Sequence, residues 1–180
     1  LWTFKVLGLI HQEMGRDEDA RRELEAAARL APDDPLVRLG LGRLLQARAE
    51  RLWASLPRPE DGTTYRPEAL ARMLDETIRE APGDDRLRQA RFQLAEAMQL
   101  WEEAMQAYRH VLIFPTSADR LLTGSRDRLL AEAFERMGAV ETARGNLVEG
   151  CECLRQALAL TPDNPAIRAF LEANGNLAPP

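Results

Sequence analysis

Two histidines, His11 and His110, and two cysteines, Cys151 and Cys153, are the natural candidates for nucleophilic, acid–base or metal chemistry. His11 lies on an apolar stripe of helical spacing with Phe4, Leu7 and Gly8, which reads as a hydrogen-bonded structural histidine. The cysteines stand two residues apart, so on a helix they point to different faces. A disulfide framework needs more cysteines and a structural zinc site needs four spaced ligands, so two unpaired thiols are expected. The acidic pairs Asp33–Asp34 and Asp84–Asp85 fall where helices begin, and capping and the helix dipole account for them. No HExxH, GxSxG, CxxC or phosphate-cradling glycine loop occurs. The chain therefore reads as a non-enzyme without metal or cofactor.

The totals narrow the class further. Of 180 residues, 45% are hydrophobic and 29% charged, which suits one domain or a short array of repeats. No apolar run approaches the ~18 residues needed to span a membrane. The net charge of −5 comes from acids and bases mixed along the chain, without the basic stripe of a nucleic-acid binder. Of the 24 basic residues only Lys5 is lysine. Codon bias in a GC-rich, bacterial genome accounts for that; the alternative is use of arginine forks to hold carboxylates. The chain opens at Leu1 and enters a helical pattern at once, so it reads as an excerpt of a longer protein. Its compartment, cytoplasmic or periplasmic, stays open.

The elements that would position any site are repeated. Residues 1–34 align without a gap on residues 131–164: Phe4 meets Phe134, Leu7 meets Met137, and Gly8 meets Gly138. Further along, Gly15 meets Gly145, Leu24 meets Leu154, Ala27 meets Ala157, and Pro32 meets Pro162. Each unit reads as two helices. Gly15 breaks the first, the second runs from about Asp17 to Leu30, and Pro32 stops it. Asp33 or Asp34 then caps the next helix, with Pro35 in its first turn. Gly8 and Ala20 are small where two antiparallel helices must approach closely.

Proline stops recur at Pro82 and Pro115, at intervals of 50, 33 and 47 residues from Pro32 to Pro162. Against a unit of 34, two units carry insertions. The expected division is unit 1 at 1–34, unit 2 at 35–84 with an inserted loop at about 57–67, and a divergent unit 3 at 85–118. An insertion at 119–130 then lengthens the next helix backwards, unit 4 spans 131–164, and 165–180 is a capping helix and tail. In unit 2 the insertion falls between the two helices, the second running from about Glu68 to Glu80. In unit 3 two helices are expected, the second marked by Trp101, Ala104, Tyr108 and Val111.

These residues resemble the tetratricopeptide repeat (TPR) family. The resemblance rests on Phe4, Leu7, Gly8, Gly15, Ala20, Leu24, Ala27 and Pro32 and on their counterparts in the fourth unit. His11, Glu141 and Gly150 depart from the pattern; a buried Glu141 would need an arginine partner or an exposed helix end. The resemblance implies an all-α, right-handed α-solenoid of about four helix-turn-helix units, whose concave wall comes from the first helices and holds a peptide or partner protein. Units of this kind stack because one helical pair cannot bury its apolar face alone.

In that frame the wall offers Trp2, Lys5, Leu9, Gln12 and Glu13 from unit 1, and Leu36, Leu39, Arg43 and Gln46 from unit 2. Unit 3 offers Arg86, Gln89, Gln93 and Glu96; unit 4 offers Glu132, Glu135, Ala139 and Thr142. Some family members clamp a C-terminal carboxylate through Lys, Asn and Arg; Lys5 fits that set, while Leu9 and Arg43 stand where Asn is expected. Trp53 and Tyr65 flank the inserted loop and are candidates for a partner site there. The function expected is a non-catalytic interaction scaffold. The alternatives are a self-associating assembly module, or the recruiting domain of an enzyme whose catalytic region lies outside these residues.

Overall fold

Gly15 and Gly145 have positive φ, 69° and 81°, the left-handed conformation in which glycine avoids the clash a Cβ would make. Each closes a tight turn between two helices. The computed structural model describes residues 1–57, 65–115 and 126–174. Among them are eight helices and no strand: α1 (Trp2–Glu13), α2 (Asp17–Leu30), α3 (Pro35–Ser55), α4 (Pro67–Glu80), α5 (Asp85–Ile113), α6 (Arg126–Ala143), α7 (Leu147–Leu160) and α8 (Pro165–Asn174). The expected all-α helical repeat is the fold.

The proline-rich closures work as local punctuation. Asp34 is the N-cap of α3 and accepts from the backbone N–H groups of Leu36 and Val37 at 3.0 and 3.2 Å, with Pro35 in the first turn. Asp84 does the same for α5, accepting from Arg86 N at 2.8 Å, and Asn164 accepts from Ile167 N at 3.2 Å in α8. A second element of this closure was not anticipated. Arg38, Arg88 and Arg168 each donate to the carbonyl of the proline six residues earlier, Pro32, Pro82 and Pro162, at 2.6, 2.8 and 2.8 Å. Three of the many arginines thus tie the first turn of a helix back to the end of the one before.

Pairing of the helices departs from the expected units in the middle of the chain. α1 packs on α2 and α6 on α7, as hairpins. α5 is one continuous helix of 29 residues, where two had been expected over 85–118. The reason lies in "AEAMQLWEEA": Gln99 stands at the place of Gly15, and no residue there breaks a helix. α3 packs most extensively on α5 rather than on α4, and α4 lies on α5 as well. α5 therefore serves two pairs. Its second half, with Trp101, Met105 and Tyr108 fully buried, meets Leu39 and Ala49 of α3; its first half, with Ala90 and Leu94, meets Leu56 just past the end of α3 and Ala71 and Leu74 of α4.

The shared core runs from α3 through α5 to α6, joining Leu36, Trp101, Tyr108, Leu129, Met137 and Val140. Each such side chain contributes roughly 1.5–3 kcal/mol on burial. At the far end, Ile167, Phe170 and Leu171 of α8 pack with Leu154 and Ala157 of α7. Glu141 is buried and supported: Asn146 Nδ2 donates to its Oε2 at 2.7 Å and Arg144 lies 3.9 Å from Oε1. Cys151 and Cys153 are free thiols, the first buried, and burial raises the pKa of Cys153, which Glu141 raises further.

Candidate functional site

On α3, residues 36, 39, 43, 46 and 50 recur every three or four positions and share one face. Leu36 and Leu39 pack into the core with Leu129, Ala133 and Met137, so this face is turned to α6. One turn on, Arg43 emerges with a quarter of its side chain exposed. Its guanidinium donates to Glu132 Oε1 of α6 and lies 3.8 Å from Glu13 Oε1 of α1. Arg136 of α6 is 3.9 Å from the same Glu132 oxygen. A single guanidinium thus reaches carboxylates on both neighbouring helices. Burial, followed by repulsion from Arg136, lowers the pKa of Arg43 from its usual value.

Beneath Arg43 the network continues into the core. Tyr108 Oη of α5 donates to Gln46 Oε1 at 2.7 Å, and Gln46 Nε2 donates to Glu50 Oε1 at 2.8 Å. Burial pushes the Tyr108 phenol well above its ordinary range, so it remains a neutral donor. Gln12 Nε2 of α1 donates to Gly40 O of α3 at 3.0 Å, tying the two helices beside Arg43. Two buried polar atoms there have no hydrogen-bond partner, Arg43 Nε and Gln12 Oε1. Among the described residues His11 Nδ1 is a third.

The residues expected to line one wall are divided. Gln12, Leu39, Arg43 and Gln46 come together with Glu13 and Glu132, although Leu39 and Gln46 are 3% and 5% exposed and mostly support the face from below. Lys5 is fully buried and bound to Asp34 Oδ2 at 2.7 Å, so it holds the closure of unit 1 rather than facing a groove. Leu9 packs with Ala20, Leu24 and Leu44. Trp2 is exposed. Gln89, Gln93 and Glu96 sit on the first half of α5, and Glu96 pairs with Arg48.

Arg48 belongs to the opposite side of α3. There Leu41, Leu44 and Leu45 floor a groove of about 670 Å³ between α2 and α5, rimmed by ion pairs such as Asp17–Arg51 at 2.7 Å. Trp53 is half-buried against Trp101, with ring centroids 5.6 Å apart at 57°, and Tyr65 is half-buried. Residues 58–64 of the loop between them lie outside the described residues. The polar role of Tyr108 was missed because its spacing reads as core, and that of Arg136 because it falls between the positions assigned to the wall.

The hairpins share a signature that decides their kinship. A Cβ on Gly8 would lie 2.7 Å from Leu24 Cγ, and one on Gly138 would lie 2.8 Å from Leu154 Cγ: a glycine on the first helix receives a large side chain from the second. Residues 1–44, which contain the first of these pairs, match the family model of the tetratricopeptide repeat. That stretch, the first hairpin and the start of α3, is similar to a tetratricopeptide repeat. No curated protein matches the chain. Tetratricopeptide repeats generally mediate protein–protein interaction and are typically non-catalytic scaffolds. Among the described residues no helix of this chain is long and apolar enough to cross a membrane.

Proposed function

We propose that the face formed by α1, α3 and α6 is the concave wall of the TPR array and holds a peptide or partner protein, with Arg43 at its centre. The observation that carries this reading is the position of Arg43. It contacts carboxylates on both flanking first helices while about a quarter of its side chain stays open to solvent. Charge-assisted forks of this kind give a peptide register and orientation. The test places a photo-crosslinking residue at Ala139 on α6, at Glu13 on α1 and, as control, at Arg22 on α2. Partner capture at the first two positions, reduced by Arg43→Gln, is expected. Equal capture at position 22 would sink the assignment to this face.

A second reading has its own observation. α1 exposes Trp2, Phe4, Leu7 and Ile10, and its C-cap Met14 is exposed as well, whereas Met137 of α6, the counterpart of Leu7, is covered by the core shared with α5. An uncovered apolar helix face suits assembly. Sedimentation at high protein concentration tests it: a monomer throughout counts against self-association.

A further inference from the structure

Two guanidiniums, Arg43 and Arg136, converge on one carboxylate oxygen, Glu132 Oε1. The other acid in reach, Glu13, lies 3.8 Å away with 79% of its side chain exposed, so solvent weakens its hold. Arg43 is also short of hydrogen-bond acceptors, because its Nε is buried without one, and Gln12 Oε1 nearby is short of a donor. Leaving such groups unpaired costs free energy, and a ligand that supplies the missing partners recovers it. The missing partners are a carboxylate for the second guanidinium, an acceptor for Nε and a donor for Gln12. An extended peptide carries all three: an acidic side chain, a backbone carbonyl and a backbone N–H.

We propose that Glu132 is an internal latch, occupying a site on Arg43 and Arg136 that takes an acidic side chain of an extended partner segment and is displaced by it. The inference rests on the concave-face reading above and specifies the chemistry of its ligand. The latch keeps the two guanidiniums from facing each other unneutralised when no partner is bound. It also makes the partner's carboxylate compete with one already in place, so weakly acidic or neutral segments are rejected. The lowered pKa of Arg43 fits a guanidinium already partly removed from water.

The experiment measures fluorescence anisotropy of labelled hexaglutamate and hexaglutamine amides with the whole chain. Wild type should bind hexaglutamate and not hexaglutamine. Glu132→Gln, which removes the competitor, should tighten hexaglutamate binding at least about fivefold. Glu149→Gln makes the same change in net charge at an exposed residue of α7, outside the wall, and should change affinity by less than about twofold. Arg43→Gln should abolish binding; Arg43→Lys, which keeps the charge and loses the fork, should weaken it, and circular dichroism checks that both fold. Equal gains in Glu132→Gln and Glu149→Gln, no gain in the former, equal binding of both peptides, or no binding at all would each overturn the latch. Failure of the face itself reads differently: crosslinking at Ala139 and Glu13 would then capture no more than position 22 does.

Discussion

The ring of Tyr108 fills the space that a side chain at position 42 would need, since a Cβ on Gly42 would lie 2.5 Å from Tyr108 Cε1. The relation repeats Gly8 with Leu24 and Gly138 with Leu154. Gly42 follows Gly8 by 34 residues, whereas Tyr108 follows Leu24 by 84, and Ala104 and Val111 follow Ala20 and Ala27 by the same 84. α3 and the second half of α5 thus pair as α1 and α2 do, with 50 extra residues between them that carry α4 and the first half of α5. The inserted pair is anchored beyond its own repeat: Arg66, at the start of α4, lies against Gly145 in the α6–α7 turn.

Gly42→Ala should destabilise the fold by about 1–3 kcal/mol, because the Tyr108 ring is fully buried and held by Gln46, leaving it nowhere to move. Gly83→Ala, with nothing within 4 Å of the added Cβ, is the control and should lie within ~0.5 kcal/mol of wild type. Urea denaturation followed by circular dichroism measures both.

Tyr108→Phe keeps the ring and removes the hydroxyl, leaving Gln46 Oε1 without its donor in a buried position. The expected cost is about 1–2 kcal/mol. A double-mutant cycle with Gln46→Leu should recover part of it, since both polar partners are then gone.

Lys5→Ala should cost roughly 3 kcal/mol or more, because the ion pair with Asp34 is almost fully enclosed and the carboxylate would be left behind. Asp34 also caps α3, so the loss should appear as weakened protection of the first turn of α3 in hydrogen exchange. A Lys5→Ala chain with unchanged stability would remove the closing role given to this residue.

The hydrogen bond from Arg91 holds the Asp75 carboxyl below its ordinary pKa, tying α4 to the first half of α5 at 2.8 Å. A depressed folded-state value means that stability is present above the unfolded pKa of about 3.9 and is lost as pH falls through the folded value. The melting temperature of wild type should therefore exceed that of Asp75→Asn near pH 6, and the gap should close as pH falls below the ordinary aspartate value of about 3.9 and through the folded one. The pair is exposed, so the gap should be small.

What the sequence by itself determined is local. Gly15 and Gly145 mark turns, Pro32 and Pro162 mark closures, and Asp34, Asp84 and Asn164 start helices, because each acts through its own backbone or that of residues two or three away. The repeat, the helical class and the last helix follow from such signals. The Arg-to-proline tie was equally local, and its spacing stands in the sequence at Arg38, Arg88 and Arg168. The tertiary structure decided which helices pair. Gly42 leaves a notch that helical spacing alone cannot assign to α4 or α5, and Tyr108 fills it from 66 residues away. It also decided what faces a partner: Lys5 is drawn inward by Asp34, while Arg43, Glu13, Glu132 and Arg136 meet because α1, α3 and α6 pack side by side. Periodicity tells which side of a helix is buried; only packing tells against what.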